Sequence, residues 1–178
     1  MYIVLNVISC GSDNGKLIEY YPSGEKFAEG YMKNSKREGH WSIWHEDGSK
    51  LGEYNYVDGK FDGVIKLWYK NGKIQTYSRY VNGLLIDTSK RYFDNGQLNY
   101  IEYYIKPGVQ EGKFTVWYKD GKISQEGFYK NGRRHGEWKT YTKEGTLKLV
   151  SYYHYGDSVD NWVDYHKIDV FNKVDSLK

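Results

Sequence analysis

One cysteine in 178 residues excludes an internal disulfide framework and a multi-cysteine zinc site. Two prolines exclude a proline-rich linker. No run approaches the roughly 20 consecutive apolar residues that a membrane-spanning helix needs. An excess of one charge is also missing: the net charge is +3, and Lys is interspersed with Glu and Asp, which argues against nucleic acid as a partner. Thick aliphatic segments are scarce, and mean hydropathy is well below zero. What the chain has instead is 20 Tyr, 6 Trp and 20 Gly. A tyrosine ring covers apolar surface while its hydroxyl stays wet, so a thin sheet can be built without Leu or Ile.

Gly112–Gly136, GKFTVWYKDGKISQEGFYKNGRRHG, contains the whole design. Two aromatic, β-branched segments are punctuated by Asp120-Gly121 and Asn131-Gly132, and such dipeptides mark hairpin turns whose central residues adopt positive φ. The unit recurs. Its opening residue is Gly15, Gly39, Gly63, Asp87, Gly112, Gly136 and Asp160, at steps of 24 residues and once 25. A first turn glycine follows at Gly24, Gly48, Gly72, Gly96, Gly121 and Gly145, and a second at Gly59, Gly83, Gly108, Gly132 and Gly156, with Ser35 in that place in the first unit. The extra residue falls at the turn Lys106-Pro107-Gly108, outside any strand interior. A fixed period in this range means a quasi-linear array. The expected fold is all-β: an elongated, single-sheet antiparallel meander of tandem hairpins over residues 15–166, six full units and a partial one.

Two columns of side chains run through the first strand of each unit. Leu17, Trp41, Ile65, Ser89, Phe114, Trp138 and Trp162 stand two places after the opener, and Tyr20, Trp44, Trp68, Tyr92, Trp117, Tyr141 and Tyr165 five places after it. An interval of three puts them on opposite faces of a regular strand. The second strand adds Phe27, Leu51, Ile74, Leu98, Ile123 and Leu147, with aromatics near its end at Tyr31, Tyr56, Tyr80, Tyr104, Tyr129 and Tyr153. After residue 166 the pattern stops. Ile168, Phe171 and Val174 recur every three residues, and 167–178 reads as a cap that covers the end of the array.

Residues 1–14 precede the first unit. Met1–Cys10, MYIVLNVISC, reads either as a capping strand or as the end of a secretory segment. Val7-Ile8-Ser9-Cys10 resembles the lipobox of bacterial lipoproteins, which would make Cys10 the lipidated residue and Gly11-Ser12-Asp13-Asn14 its tether. Lipid at Cys10 would place the chain in the cell envelope, with membrane contact only through that anchor. Otherwise the chain is cytoplasmic.

The units resemble the bacterial MORN-variant repeat, with its G-x-W-x-x-Y opening, N-G-x-L turn and Y-x-x-G-x-x-x-G close, here in GEWKTYTKEGTLKLVSYYHYGD among others. Asp87 and Ser89 depart from that opening, so the fourth unit is degenerate. The resemblance implies a MORN-like sheet. It also implies one of two roles: envelope repeat protein, or antitoxin (YwqK-like) that binds a toxin directly.

The sequence offers no chemistry beside this. His40, His45, His135, His154 and His166 show no ligand spacing and read as solvated, as do Glu19, Asp47, Asp58 and Asp94. No nucleophile motif, no phosphate-cradling loop and no cofactor motif occurs, so no catalytic residue, metal or cofactor is assigned. What is left is a surface. Trp44, Trp68, Tyr92, Trp117 and Tyr141 form an aromatic stripe flanked by Lys66, Lys70, Lys119, Lys139 and Lys143, expected either to stack into the fold or to bind a partner. The first reading is a non-enzymatic protein-interaction platform. The second is a toxin-binding antitoxin, and the third a cell-wall glycan binder that stacks sugars on Trp68 and Trp117.

Overall fold

The computed structural model describes residues 13–160. Cys10, the proposed cap and Trp162, Tyr165 and His166 lie outside the described residues. Within them the chain forms one open antiparallel sheet, and no helix occurs among the described residues. The strands are β1 (Gly15–Tyr20), β2 (Lys26–Lys33), β3 (Lys36–Trp44), β4 (Lys50–Val57), β5 (Lys60–Phe61), β6 (Gly63–Trp68), β7 (Ile74–Val81), β8 (Leu84–Tyr92), β9 (Leu98–Lys106), β10 (Val109–Gln110), β11 (Gly112–Trp117), β12 (Ile123–Lys130), β13 (Arg133–Tyr141), β14 (Leu147–His154) and β15 (Asp157–Asp160). The long strands pair in sequence order, with β4 next to β6 and β9 next to β11, and the short β5 and β10 pair only with β4 and β9. The meander expected from the repeat is therefore present.

Two turn chemistries alternate. At the second turns, Asp58-Gly59, Asn82-Gly83 and Asn131-Gly132 all have positive φ at both residues, as two-residue hairpins require. The first turns differ from expectation. Only the glycine is left-handed there (Gly121 at φ 90), and its N–H donates to the carbonyl of Tyr118 three residues back, while Tyr118 N–H donates to Lys122 O. That is a three-residue loop with a glycine bulge, and Asp120 contributes its carboxylate to the Lys122 N–H instead of a positive φ.

Most of the packing is on one face of the sheet. Ala28, Trp41, Tyr56, Ile65 and Trp138 are buried there together with Ser78 and Ser89, whereas Thr115 is buried on the other face, opposite Glu126. Along the packed face, cross-strand partners form a continuous row: Leu17↔Gly30, Trp41↔Tyr54, Ile65↔Ser78, Ser89↔Glu102, Phe114↔Gly127, Trp138↔Ser151. Size is complementary between neighbouring units. The Trp41 ring lies over Gly30 and the Trp138 ring over Gly127, each where a Cβ would stand. In the degenerate fourth unit Ser89 replaces the tryptophan, and its hydroxyl is 2.8 Å from that of Ser78. Two small hydroxyls thus satisfy each other where an indole is missing. Asp87 adopts the left-handed φ of 67 that Gly39 and Gly136 have in the same place, which aspartate tolerates better than most residues.

The structural repeat is a pair of units. In the second, fourth and sixth units the opening strand is continuous (β3, β8, β13); in the third and fifth it is interrupted (β5/β6, β10/β11). Tyr21, Tyr69 and Tyr118, found only in odd units, donate to the carbonyls of Trp44, Tyr92 and Tyr141 at 2.7–2.8 Å and so tie each odd unit to the even one after it. Arg37 and Arg134 lay their guanidinium groups 4.3 Å from the rings of Trp41 and Trp138.

Three placements correct the expectation. Tyr31 is not in the Tyr56 column: Met32 pairs with Gly15 as Tyr56 pairs with Gly39, and Tyr31 points to the opposite face, 59% exposed. The inserted residue is absorbed inside β9 as a bulge at Ile105, since Lys106 pairs with Val109 and Tyr104 with Gln110. Glu19 is not solvated; it accepts from Arg37 at 3.2 Å on the packed face.

Candidate functional site: the aromatic stripe

The fifth-place side chains end the opening strands, next to a bulge in every unit (between Ile43 and Trp44, for example), on the face opposite Trp41. Trp44, Trp68, Tyr92, Trp117 and Tyr141 are all half-buried, and Tyr20, at the start of the column, is exposed. The structure brings them together as a column, one per unit. No two of these rings are in contact with one another among the described residues; the packed face has the stacked pair Tyr54 and Phe61 at 5.5 Å and 19°, and His135, His154 and Tyr155 cluster separately. The stripe's neighbours are cations and aliphatics. Lys26 stands over Trp44 at 5.1 Å and Lys50 over Trp68 at 5.8 Å. The place held by those lysines is taken in later units by Ile74, Leu98, Ile123 and Leu147.

Two open grooves follow the stripe. One, of about 430 Å³, runs between Tyr31 and Trp44 with Lys16, Glu29, His40 and Ser42 along it. Glu29 accepts from both Lys16 (2.5 Å) and Lys26 (2.7 Å), which hold its pKa down to about 2. The other, of about 350 Å³, lies beside Trp68 with His45, Lys70, Asn71, Gln75 and Asp94. The same positions in the fifth and sixth units are closed by internal bonds. There Tyr141 donates to Glu126 at 2.9 Å, and Lys139 is paired with Glu137.

The lysines flanking the stripe are mostly engaged. Lys70 pairs with Asp47 at 3.3 Å and Lys119 with Asp94 at 2.5 Å, whereas Lys66 has no salt bridge among the described residues. Asp47, held at about 2 mainly by the Ser49 hydroxyl and N–H, and Asp58, lowered by Lys36, serve turns and edges. His45 and His135 are not solvated as expected. Nε2 of His45 and Nδ1 of His135 are buried without a hydrogen-bond partner among the described residues.

The Oγ of Ser42 is 3.2 Å from Nε2 of His40. Both are two residues apart on one strand facing solvent, and no carboxylate bonds the imidazole among the described residues. The pair therefore has neither the orienting acid nor the enclosure that nucleophilic catalysis uses. No group of three His, Cys, Asp or Glu side chains is placed to hold a metal ion among the described residues.

Sequence reasoning missed Arg37 and Arg134. The signal was present: R-x-G-x-W occurs at Arg37–Trp41 and again at Arg134–Trp138, four units apart.

The MORN repeat variant family matches residues 13–34, 37–58, 61–82, 88–106, 110–131 and 134–155. The chain belongs to the MORN repeat variant family. The six MORN matches coincide with the six structural units, and the fourth, shorter match begins just after Asp87, where the opening departs from glycine. A search among curated proteins finds no significant match.

Proposed function

We propose that this MORN-variant chain is a non-enzymatic protein-interaction platform, and that the stripe face is the surface that binds. The observation that carries the reading is the division of labour between faces. Trp41, Trp138 and their tyrosine neighbours build the fold on one side. Trp44, Trp68, Tyr92, Trp117 and Tyr141 repeat on the other with ring faces that no other ring covers among the described residues. Half-buried Trp and Tyr held in register on a rigid sheet are the kind of anchor that concentrates binding energy.

The test is affinity capture from the native host with wild type and with Trp68→Ala/Trp117→Ala. Loss of a specific partner in the variant, with the sheet's melting curve retained, supports the platform. Retention of every partner contradicts it. We further propose the cell envelope as the location, through lipid at Cys10. Membrane fractionation and lipid labelling of wild type and Cys10→Ala decide this: label and membrane association must both vanish in the variant, and an unlabelled soluble wild type would refute the anchor.

A further inference from the structure

We infer that the middle of the stripe face, across β6–β9, docks an acidic, amphipathic segment of a partner protein; this rests on the platform reading and names the partner's chemistry. The starting point is a row of directly opposed residues crossing the sheet from β4 to β12: Glu53↔Lys66, Lys66↔Tyr77, Tyr77↔Lys90, Lys90↔Ile101, Ile101↔Thr115 and Thr115↔Glu126. Directly opposed residues share a face, so the row can be read as one line of charges. Outside the middle of this face the lysines are neutralised by glutamates: Lys16 by Glu29 at 2.5 Å, Lys113 by Glu126 at 3.0 Å, and Lys139, the next cation of the row, by Glu137. In the third and fourth units the glutamate position holds Tyr77 and Ile101 instead. Lys66 and Lys90 remain. The one carboxylate beside them, Glu53, is engaged by Lys50 at 2.5 Å.

Arg79 adds a third cation two residues along β7 from Tyr77, and it is exposed. Among the described residues none of the three makes a salt bridge. Next to them, at the second-turn edge, lies an aliphatic border. Leu84 is 51% exposed, and Ile105, thrown outward by the bulge in β9, is 59% exposed. Tyr77 and Tyr103 are exposed between border and cations.

A segment with carboxylates toward Lys66, Arg79 and Lys90 and apolar side chains toward Leu84 and Ile105 satisfies both halves of this surface. Tyr and Arg are enriched in such interfaces, and unpaired cations would steer an acidic partner to it. An anionic bilayer is the weaker match. Roughly four to eight clustered cations are the usual requirement for lipid attraction, and three separated by Tyr77 fall short.

The test uses the whole chain and a fluorescein-labelled peptide of alternating Glu and Leu, with the Lys-and-Leu peptide as control, followed by anisotropy at low and high salt. The expected result is salt-dependent binding of the acidic peptide alone, weakened roughly tenfold or more by Lys66→Glu/Lys90→Glu. Lys16→Glu/Lys113→Glu changes net charge equally but removes paired cations, and its effect should stay below about twofold. Circular dichroism melts confirm that each variant keeps its sheet, and Lys66→Gln/Lys90→Gln serves if the charge reversal does not fold. Equal losses in both pairs, no binding of the acidic peptide, or binding only to phosphatidylserine vesicles would each overturn the assignment. If the peptide fails while native-partner capture still depends on Trp68 and Trp117, the platform stands and only the acidic partner falls.

Discussion

The indole of Trp41 occupies the space that a side chain on Gly30 would need: a Cβ built there falls 2.1 Å from Cδ2. The same relationship joins Trp138 to Gly127 at 2.3 Å, four units later in the same sheet row after the residues between have changed. The obstructing atoms belong to a fully buried ring, so neither partner can give way. Gly30→Ala should destabilise the protein by about 1–3 kcal/mol through overpacking, and Trp41→Ala by about 3–5 kcal/mol. In the Trp41→Ala background the glycine substitution should cost far less. Urea unfolding of the four proteins in this cycle checks the coupling.

The Ser78–Ser89 pair makes the opposite arithmetic. Ser89→Ala leaves the buried Ser78 hydroxyl without a partner and should cost about 1–3 kcal/mol. Replacing both serines by alanine should be milder than either single change. Equal or additive losses in equilibrium unfolding would show that the hydroxyl contact contributes nothing.

Gly121 stands at φ 90, and a Cβ there would lie 3.3 Å from the side-chain oxygen of Gln97. Gly121→Val should cost at least ~1–2 kcal/mol, the penalty of a left-handed conformation for an L-residue. Gly121→Asn should recover part of it, since asparagine visits that region. Thermal melts of the two variants give the comparison, and a valine variant as stable as wild type would contradict the glycine-bulge turn.

Glu29 has a folded pKa of about 2 against an ordinary value near 4.5, because Lys16 and Lys26 both donate to it. Between those values the unfolded chain binds the proton and the folded chain does not, so stability rises with pH across this window. The contribution is complete above about pH 4.5 and is lost as pH falls toward 2. Melting temperatures from pH 6 down to 2 should therefore fall more steeply for wild type than for Glu29→Gln. Parallel curves would remove Glu29 from the account of acid sensitivity.

Period, strand positions and the opposition of the two aromatic columns were legible in the sequence, because turn glycines and alternation are local and repeat unit after unit. What escaped has two sources. Tyr31 follows its opener by 16 residues where Tyr56 follows Gly39 by 17, so residue type drew it into a column that the count gives to Met32. A bulge consumes a residue without advancing the register, so the inserted residue moves from the Pro107 turn to Ile105. The first turns were misread for a related reason: Asp-Gly is compatible with two loop lengths, and the pairing on either side decides between them. The pairing of odd with even units shows only when units are compared two apart, where Tyr21, Tyr69 and Tyr118 fall in line. At the candidate site the stripe residues were legible by position. That Tyr77 and Ile101 take the glutamate position beside Lys66 and Lys90 was not, because opposition across strands needs the register.

The central claim is that the stripe face, and not the packed face, meets a partner. A photo-crosslinking amino acid at position 68 or 117, on the stripe, and at position 61 or 80, on the packed face, tests it in the native host. The account predicts a discrete adduct from the stripe positions and none from the packed face. Adducts from positions 61 and 80 alone, or none from 68 and 117 where a partner co-purifies, would contradict it.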